Sequence, residues 1–280
     1  MAWHGTLALD YRKDALYGAA RTVVHDRHDG PLRVLASLYP EGGTVCHNVL
    51  VHPPGGLVGG DDLRIAVSVA EGAHALITTP GATRFYRSVA EPAAQAVTAR
   101  VAAGARLEWL PLEAIAYSGC IARNEMRFEL APDAEMMGWD VLALGLPASN
   151  LAFERGRFEQ RIELPGRWLE RGVIDAADTR LLDSPLGWAG HRVMATLWFA
   201  AGSAIAAARR DALLDACREV VGGHALKATA GATAQGDGVV VLRVLAPRVE
   251  PAFALLNNVW ARWRELAWGL PACVPRVWRT

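Results

Sequence analysis

DLRIAVSVAEGAHALITT, residues 62–79, is the stretch of sequence that decides the fold. Apolar side chains occupy every second position from Leu63 to Val69, and this period of two is typical of a β-strand with one buried face. Gly72 then marks a turn, and a largely apolar run begins at Ala73. The stretch therefore predicts a strand, a tight turn and a second strand.

The same turn pattern recurs twice further along the chain. Val69-Ala-Glu-Gly-Ala73, Val101-Ala-Ala-Gly-Ala105 and Leu130-Ala-Pro-Asp-Ala134 each follow alternating residues and precede an apolar run, and their first residues lie 32 and 29 positions apart. A turn at a fixed place in such a period predicts stacked β-coils, in which each coil buries its apolar face against its neighbours. A generic β-sandwich made of hairpins of similar length is the alternative.

Two α-helices are predicted in the final third of the chain. The first covers residues 204–221, after a predicted buried strand at residues 193–200 and a Gly-Ser break. The second covers Pro251 to Trp268, where apolar residues recur close to a 3.6-residue period and Gly269 provides a C-terminal stop. The whole pattern predicts a mainly β chain, built as stacked coils or as a sandwich, with α-helices late in the sequence, and the length allows one large domain or two small ones.

Composition and charge limit the classes of function. Lys and Arg number 29 and Asp and Glu number 29, so no bulk attraction to nucleic acid or to an anionic membrane is expected. The apolar run at residues 193–208 is shorter than the ~20 residues that span a bilayer. The N-terminus lacks a secretory pattern and the four cysteines are far apart, so we expect reduced thiols and a cytoplasmic location.

The loop from His52 to Asp61 is rich in proline and glycine, which raises the question of a phosphate site. A Walker loop continues with Gly-Lys-Ser/Thr, whereas Asp61 and Asp62 follow the last glycine here and would repel a phosphate. No nucleotide site is predicted, and the sequence contains no G-x-S-x-G or cysteine signature of a nucleophilic enzyme. The expected role of Asp61 is to cap the turn by accepting backbone N–H bonds.

A metal-binding role would use scattered imidazole and carboxylate groups, which suit divalent ions such as nickel or zinc. The candidate ligands are His47, His52, Asp61, Asp62, Glu113 and Glu170. No pair has the tight spacing of a structural site, so weak and transient ligands are favoured over a closed site. A metal-dependent hydrolase that uses His47 and His52 is the enzyme alternative.

Five motifs, spread in order along the chain, carry a resemblance to a known family. They are His52-Pro-Pro-Gly-Gly-Leu-Val-Gly-Gly-Asp61, Thr78-Thr-Pro-Gly-Ala-Thr-Arg-Phe-Tyr-Arg-Ser88, Leu107-Glu-Trp-Leu-Pro111, Trp139-Asp-Val-Leu-Ala-Leu-Gly145 and Pro275-Arg-Val-Trp-Arg-Thr280. On these motifs the chain resembles the urease accessory protein D family, UreD, also called UreH, over nearly its whole length. The resemblance implies one domain over residues 1–280. It also implies a mainly β, β-helical fold with solenoid-like stacked strands and two α-helices in the C-terminal third.

The same resemblance implies a function in nickel delivery without catalysis by this chain. Proteins of this family act as scaffolds that bridge the urease apoprotein to UreF and to UreG, which supplies GTP hydrolysis. Nickel is expected to pass transiently through a polar tunnel, with no tightly bound cofactor. Matched motif by motif, the resemblance implies a nickel path along Asp61, Asp140 and Glu170 and a tunnel wall that includes Thr78, Ser88 and Glu113. A purely structural solenoid adaptor with no metal-conducting role is the alternative.

Overall fold

The computed structural model describes residues 2–15 and 20–279. Seventeen strands lie within these residues: β1 (His4–Asp14), β2 (Arg21–Asp29), β3 (Arg33–Val34), β4 (Val45–Val51), β5 (Asp62–Val69), β6 (His74–Thr78), β7 (Thr83–Phe85), β8 (Ala93–Val101), β9 (Arg106–Leu110), β10 (Ala114–Ala116), β11 (Cys120–Leu130), β12 (Glu135–Leu144), β13 (Gly156–Leu164), β14 (Trp168–Asp175), β15 (Val193–Ala201), β16 (Ala230–Gln235) and β17 (Val239–Ala246). The helices of the same residues are α1 (Thr179–Asp183), α2 (Ala207–Gly222), α3 (Val249–Trp268) and two 3-10 helices at Pro147–Ser149 and Arg276–Arg279.

The strands form two β-sheets. Sheet one has seven strands in the order β14-β13-β11-β8-β5-β1-β2. Sheet two has ten strands, eight of them in the order β16-β17-β15-β12-β9-β6-β4-β3, with the short β7 and β10 attached beside β12. One face of sheet two packs on sheet one and the other packs on α2 and α3. Because both faces are covered, β12 is buried at every position after its first residue and its sequence is almost continuously apolar.

Parallel strands of the two sheets alternate along the chain, since β5, β8 and β11 of sheet one are followed by β6, β9 and β12 of sheet two. The three repeated turns connect these pairs and stack in register: Val69 and Leu130 both pair with Val101. On sheet two, His74 and Glu135 both pair with Arg106. The prediction of solenoid-like stacked strands is confirmed.

Each repeated turn contains one residue in the left-handed backbone conformation. Gly72, Gly104 and Asp133 take this position, with φ of 64°, 64° and 62°. Glycine adopts the conformation without a Cβ penalty, and aspartate is among the few other residues that visit it routinely. The equivalence of Asp133 to the two glycines explains why the third turn can differ in sequence and keep the same shape.

The stacking of coils ends after β13. The segment Leu164 to Trp168 has the length of a further repeat, but here the chain reverses and β14 pairs with β13 in antiparallel fashion. Antiparallel strands β15, β17 and β16 then extend sheet two beyond β12. The solenoid therefore merges into an antiparallel sheet, and α2 and α3 cover the face that sheet one leaves open.

The two long helices agree with the prediction, with small shifts at their boundaries: α3 begins at Val249, two residues before the predicted start, and α2 ends at Gly222, one residue after the predicted end. In α3, Pro251 lies in the first turn and Gly269 follows the last residue with φ of 64°. α2 begins at Ala207, three residues later than predicted, because the N–H of Ile205 donates to the carbonyl oxygen of Asp237 at 2.7 Å. The five-residue α1 has no counterpart in the prediction; its N-cap is Asp178.

The apolar run at residues 193–208 is not a continuous helix. Its first part is β15, which lies between β12 and β17 in the middle of an extended sheet. Within residues 2–15 and 20–279, no helix has the length and apolar character needed to cross a membrane.

Candidate functional site

A buried carboxylate of sheet two accepts hydrogen bonds from side chains of sheet one. Asp140 lies on β12 of sheet two, and its Oδ1 accepts a hydrogen bond from Asn124 Nδ2 at 3.5 Å. Its Oδ2 accepts a second hydrogen bond from Gln160 Nε2. Asn124 and Gln160 both belong to sheet one, on β11 and β13. Asp140 therefore places a carboxylate in an otherwise apolar core and surrounds it with side-chain amides.

The amides form a line across sheet one because neighbouring strands place them at paired positions. Gln95 pairs with Asn124, and Asn124 pairs with Gln160, on β8, β11 and β13. Gln95 Nε2 donates to Asn124 Oδ1 at 3.3 Å. We call Gln95, Asn124, Asp140 and Gln160 the inter-sheet polar row. Gln160 Oε1 is buried and has no hydrogen-bond partner within the described residues, so the row keeps one free acceptor.

An ion pair at the rim of the core interacts electrostatically with Asp140 of the row. Glu170 on β14 accepts a hydrogen bond from the Arg243 guanidinium on β17. The Glu170 side chain is 15% exposed and the Arg243 side chain 47% exposed, so the pair lies at the rim of the core. Burial raises the pKa of Glu170, while Arg243 opposes that shift.

The pKa of Asp140 is raised close to neutral pH. Burial is the main cause that raises its pKa to about 7; the hydrogen bond from Gln160 lowers it and the charge of Glu170 raises it further. The negative charge of Glu170 therefore makes ionisation of Asp140 less favourable. A cation close to Asp140 would stabilise the ionised form that burial disfavours.

Asp61 caps the glycine-rich loop. Its Oδ1 accepts the backbone N–H of Trp3 at 2.7 Å and its Oδ2 accepts that of Val58 at 2.9 Å. The residue is 2% exposed, and its own N–H donates to the carbonyl oxygen of Val58 at 3.0 Å. Both carboxylate oxygens therefore accept backbone N–H bonds, which is the capping role expected from the sequence.

The expected tunnel-wall residues lie in three different places. Ser88 packs beside the Asp61 loop, since a Cβ atom at Gly59 would lie 3.2 Å from Ser88 Cβ. Thr78 faces the helices: its Oγ1 donates to the carbonyl oxygen of Leu110 at 2.6 Å and accepts from Trp278 Nε1 at 2.8 Å. Glu113 precedes β10, and its pKa is raised by burial. Asp140 interacts electrostatically with Glu170, whereas Thr78 lies on the opposite face of sheet two from Asp140.

The histidines of the predicted metal segment are separated. His47 Nε2 lies 2.6 Å from Glu41 Oε1 on the helix-facing side of sheet two, whereas His52 is in the loop after β4. Across the part of the chain that the structure describes, no group of three or more His, Cys, Asp or Glu side chains converges as a metal site would require. The candidate ligands therefore lie apart from one another in the described residues.

The sequence interpretation missed the amide members of the row. Asn124 lies on the same face of β11 as Ala122 and Met126, which are both buried in the core between the sheets. Gln160 likewise lies between Phe158 and Ile162 on the inward face of β13. The available signal was a polar residue on the apolar face of an alternating strand, which is uncommon unless the residue has a buried partner.

A second buried polar group, also missed, lies between sheet two and α3. Glu108 contacts His74 Nε2 at 2.8 Å, accepts from Trp260 Nε1 at 2.7 Å and pairs with Arg264 Nε at 3.2 Å. Burial alone would raise the pKa of Glu108, but His74, Arg264 and Trp260 outweigh it, and the pKa is lowered. Arg264 also pairs with Glu41 at 2.7 Å. Through Glu108, these hydrogen bonds and ion pairs connect α3 to sheet two.

Comparison with known sequences identifies the family. The sequence model described as "UreD urease accessory protein" matches residues 4–279. The chain belongs to the UreD family. The resemblance found from the five motifs is thereby confirmed.

The UreD relatives match over their full length. A protein of Leptothrix cholodnii named urease accessory protein UreD is 62% identical over 280 residues, covering 100% of both chains. Proteins with the same name from Albidiferax ferrireducens and Variovorax paradoxus are 63% and 60% identical, with 99% and 100% of each chain covered. The role that the family name carries is that of an accessory protein of urease, and the inter-sheet polar row lies in a chain of this family.

Proposed function

We propose that this UreD-family chain delivers nickel to the urease apoprotein as a scaffold that acts with UreF and UreG. Nickel is cargo that passes through the protein and is not retained as a cofactor. The observation that supports the proposal is the inter-sheet polar row, which holds the Asp140 carboxylate in the core, where it interacts electrostatically with Glu170 at the rim. The four unpaired cysteines support a cytoplasmic location, where thiols stay reduced.

The chemistry of the row suits transfer better than storage. Carboxylate and amide oxygens bind divalent cations, but a tight site needs several of them to converge on one point. Here Asp140 and Glu170 offer one carboxylate each, and Gln160 Oε1 adds a free acceptor. A path of weak sites lets an ion enter and leave, as conduction requires.

The other residues predicted for the nickel path and the tunnel wall lie away from the inter-sheet polar row. Asp61 accepts the N–H groups of Trp3 and Val58 through both carboxylate oxygens, so its carboxylate acts first on the shape of the loop. Ser88 lies beside that loop, whereas Thr78 and Glu113 line other parts of sheet two. Their placement on a nickel path stays a prediction.

Co-expression with the urease genes tests the proposal. Omitting this protein should leave urease assembled but poor in nickel and inactive. Asp140→Asn should lower the nickel content of purified urease at least several-fold while the complex with UreF and UreG still forms. Asp215→Asn, at a side chain that is 76% exposed, is the matched control and should leave nickel content unchanged. Normal nickel content in Asp140→Asn would favour the purely structural adaptor instead.

A further inference from the structure

The two sheets of the protein end at different places. Sheet one ends at β14, which lies over β15 and β17 of sheet two, since the ring centroids of Trp168 and Trp198 are 5.7 Å apart and Glu170 pairs with Arg243. Sheet two continues past β17 to one more strand, β16. Sheet one is therefore one strand too short to cover sheet two.

The strand β16 is covered on one face only. Its three alanines are partly buried against the helices, whereas the residues between them, Gly231, Thr233 and Gln235, are exposed. Gly231 pairs with Arg243, which contacts Glu170 of sheet one, so the exposed residues lie on the face that a longer sheet one would cover. A Cβ atom at Gly231 would meet no atom of a residue beyond its chain neighbours within 4 Å. There is thus open space beside β14 and above β16.

The edge of β14 that faces this space has free backbone groups. β14 pairs with β13 alone, and in the described part of the chain no backbone group of residues 168–174 bonds to a residue outside that pair. Such an edge presents N–H and C=O groups to which a further strand can bond. The other edge of sheet one, β2, exposes the run from His25 to Asp29, whose charged and imidazole side chains discourage pairing. The β14 edge is therefore the more favourable one for an added strand.

The outward face of β14 combines two aliphatic side chains with one charge. Leu169 and Val173 are 55% and 39% exposed, and Arg171 lies between them on the same face. Arg171 is directly opposite Arg161 of β13, and like charges at such positions are unfavourable. Arg161 has Glu163 at 2.9 Å, whereas Arg171 has no ion-pair partner among residues 2–15 and 20–279. A carboxylate next to Arg171 would balance this charge.

The groove beside Arg171 has a net positive charge. It is a cavity of about 110 Å³ on the outer face of β11, β13 and β14, and its charged lining residues are Arg123, Arg157, Arg161, Arg171, Glu125 and Glu159. Four positive charges against two negative ones attract an acidic side chain. An added strand with a carboxylate at this position is therefore favoured over a strand without one.

We propose that the free edge of β14 binds an extended segment of another protein, which adds an eighth strand to sheet one and lies over β16. Its residues opposite Leu169 and Val173 are apolar, and its residue opposite Arg171 is Asp or Glu. Its other face lies over Gly231 and Thr233, where β16 leaves room for side chains. A second copy of this chain fits less well, because pairing two β14 strands about Arg171 opposes like charges. Strand addition goes beyond nickel delivery and does not depend on it.

Two blocked peptides test strand addition to the full-length chain. The probe is acetyl-Ser-Val-Thr-Asp-Thr-Val-Ser-amide, which reads the same in both directions and can therefore pair in parallel or antiparallel fashion. Its control replaces the central Asp with Lys. In titrations followed by amide NMR signals, we expect the Asp peptide to shift the signals of β14 and of Gly231 and Thr233. It should bind at least fivefold more tightly than the Lys peptide.

A charge reversal on the protein gives the matched test. Arg171→Glu should reverse the preference, so that the Lys peptide binds more tightly than the Asp peptide. Arg12→Glu makes the same charge change at an exposed position of β1, near the opposite end of sheet one, and should leave the wild-type preference unchanged. Amide NMR spectra of the two variants report whether each is folded.

The wild-type titrations need no variant, so a folding defect cannot obscure them. Equal binding of the two peptides, shifts confined to other strands, or no shift of the β14 signals at about 5 mM peptide would each overturn the strand-addition site. Self-association of the peptide-free chain in sedimentation equilibrium, with the β14 signals broadened, would assign the edge to a second copy and overturn the proposed partner. The nickel content of urease made with Asp140→Asn judges the proposed function separately.

Discussion

Arg264 of α3 and Glu108 of β9 form an ion pair in which neither side chain has any solvent-exposed surface, with Arg264 Nε 3.2 Å from Glu108 Oε1. The pair joins the last long helix to a strand of the solenoid, 156 positions away in the sequence. Charges buried this deeply are tolerated only when hydrogen bonds satisfy them, and His74 and Trp260 supply these to Glu108.

Glu108→Gln should therefore strongly destabilise the protein. The variant leaves Arg264 buried with only part of its compensating charge, and breaking such pairs costs about 3–5 kcal/mol of the free energy of unfolding. Urea denaturation followed by tryptophan fluorescence measures the loss. Glu129→Gln, which removes a partly exposed partner of Arg100 and Arg127, is the control and should cost less than about 1 kcal/mol. Equal costs for the two variants would contradict the structural role of Glu108.

The cost of Glu108→Gln should also depend on pH. The pKa of Glu108 is lowered in the folded protein, so its stabilising contribution is complete above the unfolded carboxyl pKa of about 4.3 and is lost as the pH falls through the lower folded value. The difference between wild type and variant should therefore be constant from pH 6 to 8 and shrink below about pH 4. A difference that grows on acidification would rule out the charged form of Glu108.

Asp140→Asn should show the opposite dependence. The pKa of Asp140 is raised to about 7, so the folded state binds a proton that the unfolded state releases near its ordinary value. Between these values, wild-type stability should fall relative to the variant as the pH rises, by up to about 1.4 kcal/mol per pH unit. Paired urea titrations at pH 5, 6, 7 and 8 measure the slope. Parallel curves for the two proteins would show that Asp140 does not change its protonation state on folding.

Arg243→Gln should strengthen nickel binding. A cation that reaches Glu170 must displace the Arg243 guanidinium, so removing that competitor makes the carboxylate available. We expect Ni²⁺ affinity to rise roughly tenfold, which corresponds to about 1.4 kcal/mol. Competition with a chromophoric chelator measures it, and Arg100→Gln, at a side chain that is 80% exposed, is the control. Unchanged affinity would mean that Glu170 does not meet the ion.

Trp109→Phe and Trp139→Phe form a matched pair of substitutions. Both tryptophans are buried, but Trp139 Nε1 donates to the carbonyl oxygen of Pro111 at 2.7 Å, whereas Trp109 Nε1 has no protein partner among the described residues. Losing the Trp139 hydrogen bond removes this donor from the part-buried carbonyl oxygen of Pro111, which costs about 1–3 kcal/mol if no other donor replaces it. Trp139→Phe should therefore be at least 1 kcal/mol more destabilising than Trp109→Phe in thermal or urea unfolding. The reverse order would indicate that another group satisfies Trp109.

The sequence predicted those parts of the fold that depend on neighbouring residues. Alternation from Leu63 to Val69 and the left-handed position at Gly72 are local signals, and they predicted both the strand and the turn. The helix from Pro251 was predictable for the same reason. The reversal after Leu164 was not, because a turn of similar length can join parallel coils or an antiparallel hairpin.

The candidate site was harder to predict because it depends on which face of a strand meets which layer. Sheet two is covered on both faces, so its strands lack the polar and apolar alternation that would place Thr78 and Asp140 on opposite sides. The amides of the polar row come from three coils about 30 residues apart, and only stacking in register makes them neighbours. Glu108 was hidden for a related reason, since a single acidic residue in an apolar strand gives no hint of its partners.

The pairing of Gln95, Asn124 and Gln160 on successive parallel strands has a consequence for distance. Strands in a sheet are about 4.8 Å apart, so this backbone spacing sets the step from one amide to the next along the stacking axis, whichever side chain occupies the position. On the proposed nickel path, substitutions there would change how strongly an ion is bound at each position, but not the length of each step. A longer route would require a further coil, and each added coil would lengthen it by the same increment.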